Sequence, residues 1–454
     1  MPSNLGAAIR ARVVDVRPSE LPALLLAFVF NFVVLGSYYV IKPIRDDIGA
    51  NNGVEKLSWM FTGTMVAVIV ANTLFSTIVA RMSRRRFIPI AYRFFIVNLA
   101  LFYIAMHFLT GAAAQFWVGT VFFIWVSVFN LFIVTLFWAF MTDVFSTEQG
   151  KRLFGFISVG GTLGAVFGAT MTGSLVKTVG ALNLFIISAV LLEAAAWCVQ
   201  FFPSDFETRH PERSEGPRKA ESAMRAERSL ASEARDDRTR AEQPIGGGII
   251  SGISRVFRST YLLGICGFML LYAVTTTFVY FQQADLTAHA FHDRAARTAF
   301  FAHIETWVNI VTAFVQILLT GRLLKWFGVG PTLAFLPVLS LVGFVVIGLT
   351  PALGLFAAFQ VIRRAGNFAI TRPAREVLFT VLTREDKYKA KSFIDTFVYR
   401  TGDQIGAWTY SLLRWFGLGL TGVSWVAVPL AGLWFVVSIF LGRRQVALAE
   451  ERAS

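Results

Sequence analysis

Apolar runs dominate this chain, each of about twenty residues, the length at which an α-helix crosses the ~30 Å hydrocarbon core of a bilayer. Six of them fall near 21–41, 57–80, 87–109, 116–141, 154–176 and 181–202. Six more fall near 261–281, 299–319, 329–349, 352–370, 392–413 and 418–441. The expected fold is therefore all-α and integral to the membrane, with twelve transmembrane helices in two sets of six. Composition agrees, since 15% of residues are charged, against about 25% in soluble domains.

The two sets divide the chain into an amino-terminal half, 1–202, and a carboxy-terminal half, 259–454, joined by a linker over 203–258. That linker carries HPERSEGPRKAESAMRAERSLASEARDDRTRAE, where acids and bases nearly balance and large apolar residues almost vanish. Such a segment cannot bury enough surface to order itself and is expected to be disordered. The net charge of +14 would suggest nucleic acid as a partner of a soluble protein. Here most basic residues lie at the termini and in the loops after spans 2, 4, 6, 8 and 10, among them Arg81, Arg84, Arg85, Arg86, Lys151, Arg152, Arg322, Lys325, Arg443 and Arg444. This bias sets orientation: both termini and the linker are expected on the cytoplasmic side of a cell inner membrane, and no nucleic-acid partner is expected. Arg10, Arg12 and Arg17 precede the first span without a cleavage site, so that span is expected to serve as its own uncleaved signal. The two cysteines, Cys198 and Cys266, lie in apolar segments and offer neither a disulfide framework nor a metal site.

Each half has a polar, basic loop feeding its fifth helix: TEQGKRLFGF leads to Gly164 and Ala165, and TREDKYKAKSF to Gly406 and Ala407. A weaker echo pairs ARMSRRRF after span 2 with GRLLKWFG after span 8. Parallel six-helix repeats around a midplane site are the architecture of the major facilitator superfamily, although that family's loop motif is degraded in both copies. Glycines from Gly160 to Gly173 suit close packing of span 5. There is no GxxxxGK[ST], no HExxH and no convincing nucleophile constellation, so no enzyme, cofactor or metal is expected.

Ionisable residues inside apolar spans are costly and normally face a partner or a water-filled path. Near the end of span 1, Lys42, Arg45, Asp46 and Asp47 surround Pro43, as a cationic mouth for an anion or as an interfacial anchor. In span 10 the adjacent Arg363 and Arg364 point about 100° apart, so at least one should face a central cavity; pairing with Glu193 or Asp403 is the structural alternative. Arginine's planar fork suits phosphate or carboxylate. In span 11, Lys387, Lys389 and Lys391 alternate at the helix mouth, and Asp395, Tyr399 and Asp403 recur every four residues on one face. Arg400 stands one residue off that stripe and could simply pair with Asp403. Arg93 and Asn98 in span 3, Asn130 in span 4, Glu193 in span 6, and His303, Glu305 and Asn309 in span 8 complete the buried polar set. Glu193 and Glu305 are candidates for charge balance or proton coupling.

YYVIKPIRDD (38–47), FWAFMTD (137–143) and above all KYKAKSFID (387–395) resemble the ATP/ADP translocase family, especially its free-living bacterial branch. The resemblance implies a nucleotide exchanger of the facilitator type in which Arg45 and Lys391 belong to the nucleotide path. It departs where established exchangers carry membrane carboxylates in spans 4 and 7, since this chain offers Asn130 and Gln282 or Gln283. The expected substrate site is Lys42, Arg45, Arg93, Asn130, Arg363, Arg364 and Lys391. Asp46, Glu193, Glu305, Asp395, Arg400 and Asp403 are expected to gate it or balance its charge. The expected function is exchange of anions such as ATP and ADP by alternating access. Two alternatives stay open: transport of another organic anion or amphipathic solute, and a non-transporting scaffold or lipid-binding protein. The expected partners are an anionic small molecule and the lipid bilayer; oligomeric state is open, with a monomer as default.

Overall fold

The computed structural model describes residues 16–17, 20–79, 84–202, 259–382, 390–391 and 393–453. The linker expected at 203–258, and Lys387 and Lys389, lie outside these residues. Every regular element among the described residues is helical. The amino-terminal part consists of α1 (Leu21–Asn51), α2 (Val54–Val79), α3 (Arg84–Phe108), α4 (Ala112–Val144), α5 (Thr147–Val179) and α6 (Leu184–Phe201). After the linker come α7 (Thr260–Ala290), α8 (Arg294–Leu318), a short α9 (Thr320–Phe327) and α10 (Val329–Leu349). Next, α11 (Leu353–Gly366) passes through a π-helical turn, Asn367–Thr371, into α12 (Arg372–Leu378). A second π turn, Ile394–Val398, enters α13 (Tyr399–Trp415), and α14 (Leu420–Ala453) ends the fold.

Ten helices among the described residues are long and apolar enough to cross a membrane: α1 to α8, α10 and α14. The fold is thus all-α and multi-spanning, but two of the twelve expected spans, near 352–370 and 392–413, are not among the ten. The reason is their polarity and their interruption. Arg363 and Arg364 punctuate the first, Asp395, Arg400 and Asp403 the second, and a π turn falls at the end of the first and inside the second.

Short connections such as Asn51 to Val54 and Val144 to Thr147 turn successive long helices antiparallel. The end where α1, α5 and α7 begin is called basal below, and the opposite end distal. At the basal end, Ser146 and Gln149 form a reciprocal capping box at the start of α5, satisfying two otherwise orphaned backbone donors. Glu20, just before α1, accepts bonds from the Arg17 backbone N–H (3.1 Å), Gln149 Nε2 (3.0 Å) and Arg152 Nη2 (3.0 Å). One carboxylate thereby joins the starts of α1 and α5.

Glycine sets how closely the helices of each half approach. Gly160, Gly164 and Gly168, four residues apart on α5, lie against the backbone carbonyls of Phe28, Phe32 and Gly36, four apart on α1. On α13, Gly402 and Gly406 lie against the carbonyls of Leu270 and Val274 on α7, at 3.2 and 3.1 Å from where a Cβ would stand. Small residues at such spacing let membrane helices meet backbone to backbone. The pairs α1–α5 and α7–α13 therefore pack alike, each through glycines spaced four residues apart. Around them aromatic side chains fill the volume. Phe30, Tyr92, Phe122, Phe129, Phe137 and Phe140 are buried in the amino-terminal part, and Phe268, Tyr261 and Trp434 in the carboxy-terminal part.

Candidate functional site

The last turns of α1 carry Lys42, Arg45, Asp46 and Asp47 around Pro43. Residues four apart on a helix are neighbours, and Lys42 Nζ stands 3.5 Å from the Asp46 carboxylate. Arg45 donates to Asp46 Oδ1 (3.0 Å), the Phe123 carbonyl (3.2 Å) and the Tyr280 hydroxyl (3.3 Å). Its guanidinium also lies 3.7 Å from the centre of the Phe123 ring, in cation–π range. Tyr280, on α7, donates to Asp46 Oδ1 at 2.9 Å. Lys42 reaches in addition to Glu305 on α8. That carboxylate also receives both arms of Arg364 from α11, Nη2 to Oε2 at 2.9 Å. Glu305 is thus buried between a cation from each half.

Arg363 and Arg364 diverge as adjacent helical residues must. Arg364 faces the junction between the halves, whereas Arg363, 2% exposed, turns into the carboxy-terminal bundle. There its Nε donates to Ser340 Oγ on α10 at 3.1 Å and its Nη2 to Thr276 Oγ1 on α7 at 2.9 Å. Its partners among the described residues are hydroxyls, with no carboxylate in ion-pair range. Three cations (Lys42, Arg45, Arg364) meet two carboxylates (Asp46, Glu305) here, leaving one positive charge in excess, and Arg363 adds a further buried cation within the carboxy-terminal bundle.

The other predicted site residues lie elsewhere. Asp403 accepts from Thr277 at 3.4 Å and pairs with Arg400 at 3.6 Å, the local i,i+3 pair expected on its helix. The π turn at Ile394–Val398 breaks the four-residue repeat, so Asp395 stands apart and pairs with Arg375 of α12 at 3.4 Å. Lys391 pairs with Glu376, also on α12. These contacts all lie within the carboxy-terminal part of the chain. Arg93 and Glu193 bond each other on the outer face of α3 and α6, away from the centre. Asn130 is half-buried on α4. Neither Glu193 nor Asp403 is the partner of Arg363 or Arg364.

Sequence reasoning passed over Arg294 and Arg297 at the start of α8. Asp47, 1% exposed, accepts from Arg297 Nε at 2.7 Å and Arg294 Nε at 3.2 Å. Arg297 also donates to Asn51 Oδ1 at 3.0 Å and to the carbonyls of Phe291 and His292. Both arginines lie in a polar stretch, FHDRAART, where charge alone signals nothing; only their meeting with Asp47 singles them out. Close by, Ser58 donates to the Ala407 carbonyl at 2.9 Å, Thr62 to Gln404 at 2.8 Å, and Trp408 to Thr62 at 3.2 Å. Between described residues, the polar contacts joining the two parts all fall on the distal stretches of α1, α2, α5, α7, α8 and α13 and on Arg364.

A helical membrane protein with ion pairs between two helix sets suggests a transporter, and sequence comparison decides the family. The sequence model of the Major Facilitator Superfamily matches residues 24–380. The chain belongs to the Major Facilitator Superfamily. No curated protein matches it in sequence. Among solved structures it is similar to a D-xylose–proton symporter, at 13% identity and a TM-score of 0.61 over 92% of this chain and 96% of that one. It is similar to a POT family transporter in complex with 5-aminolevulinic acid, at 11% identity and a TM-score of 0.61 over 94% and 96%. A bacterial homologue of the iron transporter ferroportin in an inward-facing state aligns at 9% identity and a TM-score of 0.63, over 94% and 100%. At such identities the likeness is one of fold. As a member of the Major Facilitator Superfamily the chain is a multi-pass membrane transporter of the facilitator type, and not an enzyme.

Proposed function

We propose that this transporter carries an organic anion of modest charge by alternating access between two six-helix halves. The observation that carries this reading is the buried cationic excess where Lys42 and Arg45 from the amino-terminal part and Arg364 from the carboxy-terminal part meet Asp46 and Glu305. A carboxylate or phosphate entering there would take donors from Glu305 and reach Arg45, loosening the junction as it binds. Fixed cations in a site of low dielectric attract such a group more strongly than water-exposed ones do. The twelve-span reading adds α11 with α12, and the segment 390–415, to the ten long apolar helices. Their interior charges then line the path instead of facing lipid. The distal clustering of inter-half contacts favours a state open at the basal end. With the basic loops on the basal side, that end and both termini would be cytoplasmic in an inner membrane.

Nucleotide exchange is the narrower reading that the translocase resemblance implies. Against it, Lys391 pairs with Glu376 on α12, and not with the charges around Glu305. A nucleoside triphosphate would also bring more negative charge than the free excess at the junction balances. Two of the solved neighbours, a D-xylose–proton symporter and a POT family transporter in complex with a thioalcohol-conjugated peptide, support the broader organic-solute reading over ATP/ADP exchange.

The test is thermal stability of the purified chain against dicarboxylates, phosphate monoesters, nucleotides and neutral sugars, followed by uptake into proteoliposomes. A ligand at a hundredfold excess over its dissociation constant stabilises by ~2.7 kcal/mol. Stabilisation and uptake of a small dianion, lost in Arg364→Ala and retained in Lys391→Ala, is the expected result. A response to nucleotides alone that Lys391→Ala abolishes would restore the translocase reading, and a response to neutral sugars alone would overturn the anion site.

A further inference from the structure

Arg93 and Glu193 form an ion pair that the central site does not use. Arg93 on α3 donates to both carboxylate oxygens of Glu193 on α6, Nη2 to Oε1 at 2.8 Å and Nε to Oε2 at 3.3 Å. The side chains nevertheless stay 47% and 35% exposed. They are surrounded by exposed apolar side chains: Ile90, Phe94 and Val97 on α3, and Ile186 and Val190 on α6. Arg93 lies six residues into the span Phe87–Phe108, and Glu193 eight residues before the end of Leu184–Phe201. At 1.5 Å per residue these are depths of roughly 9 and 12 Å, below the level of lipid headgroups. Ionisable side chains at such depth belong against protein or water, not hydrocarbon. The guanidinium is turned onto the carboxylate rather than toward a helix end, so it does not escape to the interface.

We propose that this face of α3 and α6 binds a second copy of the chain about a two-fold axis. The reason for choosing a copy is the charge pattern. A basic and an acidic group side by side form a self-complementary patch, and a two-fold interface brings the same patch together with itself, reversed. Arg93 then faces the partner subunit's Glu193, and Glu193 faces the partner subunit's Arg93. Four charges close into a ring, and the apolar side chains around them are covered by their own counterparts. Hydrogen bonding between helices in this way is a recurrent source of membrane association.

The experiment counts subunits of the full chain in lipid vesicles at low protein density by single-molecule photobleaching. Arg93→Glu gives a chain with two acids on this face, and Glu193→Arg one with two bases. Wild type is expected as dimers. Each variant alone should dimerise at least about tenfold more weakly, the equivalent of ~1.4 kcal/mol, and the two variants mixed should associate with each other again. Wild-type monomers at every density, or mixed variants no more associated than each alone, would overturn the proposal. Because both variants also break the pair within one chain, a second measurement leaves that pair intact. With Cys198 and Cys266 replaced by serine, Val190→Cys should cross-link between copies with a short bis-maleimide. Ile317→Cys, exposed on α8, should not. Equal cross-linking at both positions would mean random collision and would also refute the interface.

Discussion

Arg363 is a buried cation whose bonds go to hydroxyl groups, while the adjacent Arg364 shares a carboxylate with a lysine from the other half. The two should respond differently to substitution. Burying a charge without a counter-ion is costly, so an apolar side chain of similar volume in its place removes a desolvation penalty. Arg363→Met is therefore expected to keep or raise the melting temperature while abolishing anion uptake. Glu305→Gln leaves Lys42 and Arg364 without their shared counter-ion, and breaking a buried pair in this way costs ~3–5 kcal/mol; thermal unfolding in detergent measures it. Glu20, outside the spans, supplies a pH dependence. Burial alone would raise its pKa, but bonds from Gln149, the Arg17 backbone and Arg152 hold it below the ordinary 4.5. A depressed folded-state pKa gives stability that is present above the unfolded value and is lost as pH falls through the folded one. Melting temperature should thus drop as pH is taken from about 6 to about 3, and Glu20→Gln should flatten that dependence.

Helix contacts in each half depend on glycine where two backbones meet. A Cβ at Gly164 would overlap the Phe32 carbonyl and Cα, backbone atoms that cannot move aside without shifting α1. Gly164→Val is expected to destabilise by at least ~1–3 kcal/mol, the usual cost of overpacking, and to slow transport by displacing Lys42 and Arg45 on the same helix. Gly432 on α14 has open space at its Cβ position. There Gly432→Ala should be tolerated or stabilise by ~0.5–1 kcal/mol through helix propensity. Comparing the two melting temperatures separates a contact effect from a general effect of glycine. The π turns at Asn367–Thr371 and Ile394–Val398 belong to the same level, since each re-aims the charged residues that follow it. Beyond the second, Asp395 and Asp403 no longer share a stripe.

The proposed alternating access would open these distal contacts, and Asp47 with Arg297 is their most buried ion pair. Asp47→Asn weakens its bonds to Arg297 and Arg294 without changing shape. Ser58, buried where α2 meets α13, reports on opening when replaced by cysteine. Labelling of Ser58→Cys by a membrane-impermeant maleimide should accelerate roughly tenfold in the Asp47→Asn background, for ~1.4 kcal/mol of shifted equilibrium. Equal rates would mean that the closure rests on the hydroxyl contacts and packing instead.

Much of this molecule was legible in one dimension because a bilayer imposes a one-dimensional rule. Apolar length predicted twelve spans, and ten of them are helices long and apolar enough to cross a membrane among the described residues. The glycines at 160, 164, 168, 402 and 406 could be read as packing positions because close approach needs a missing side chain. The resemblance to nucleotide translocases placed Lys391 in a substrate path, but the fold sets it beside Glu376. Charged residues resist reading from sequence because an ion pair depends on distance, and distance is set by which helices pack. Lys42 and Glu305, or Asp47 and Arg297, are hundreds of positions apart with nothing local to connect them. The sequence by itself determined a helical, multi-spanning membrane protein with costly charges inside it. Only the tertiary structure decided which of those charges neutralise one another and which, like Arg363, find hydroxyl partners among the described residues, because an ion pair exists only once helices distant in sequence pack together.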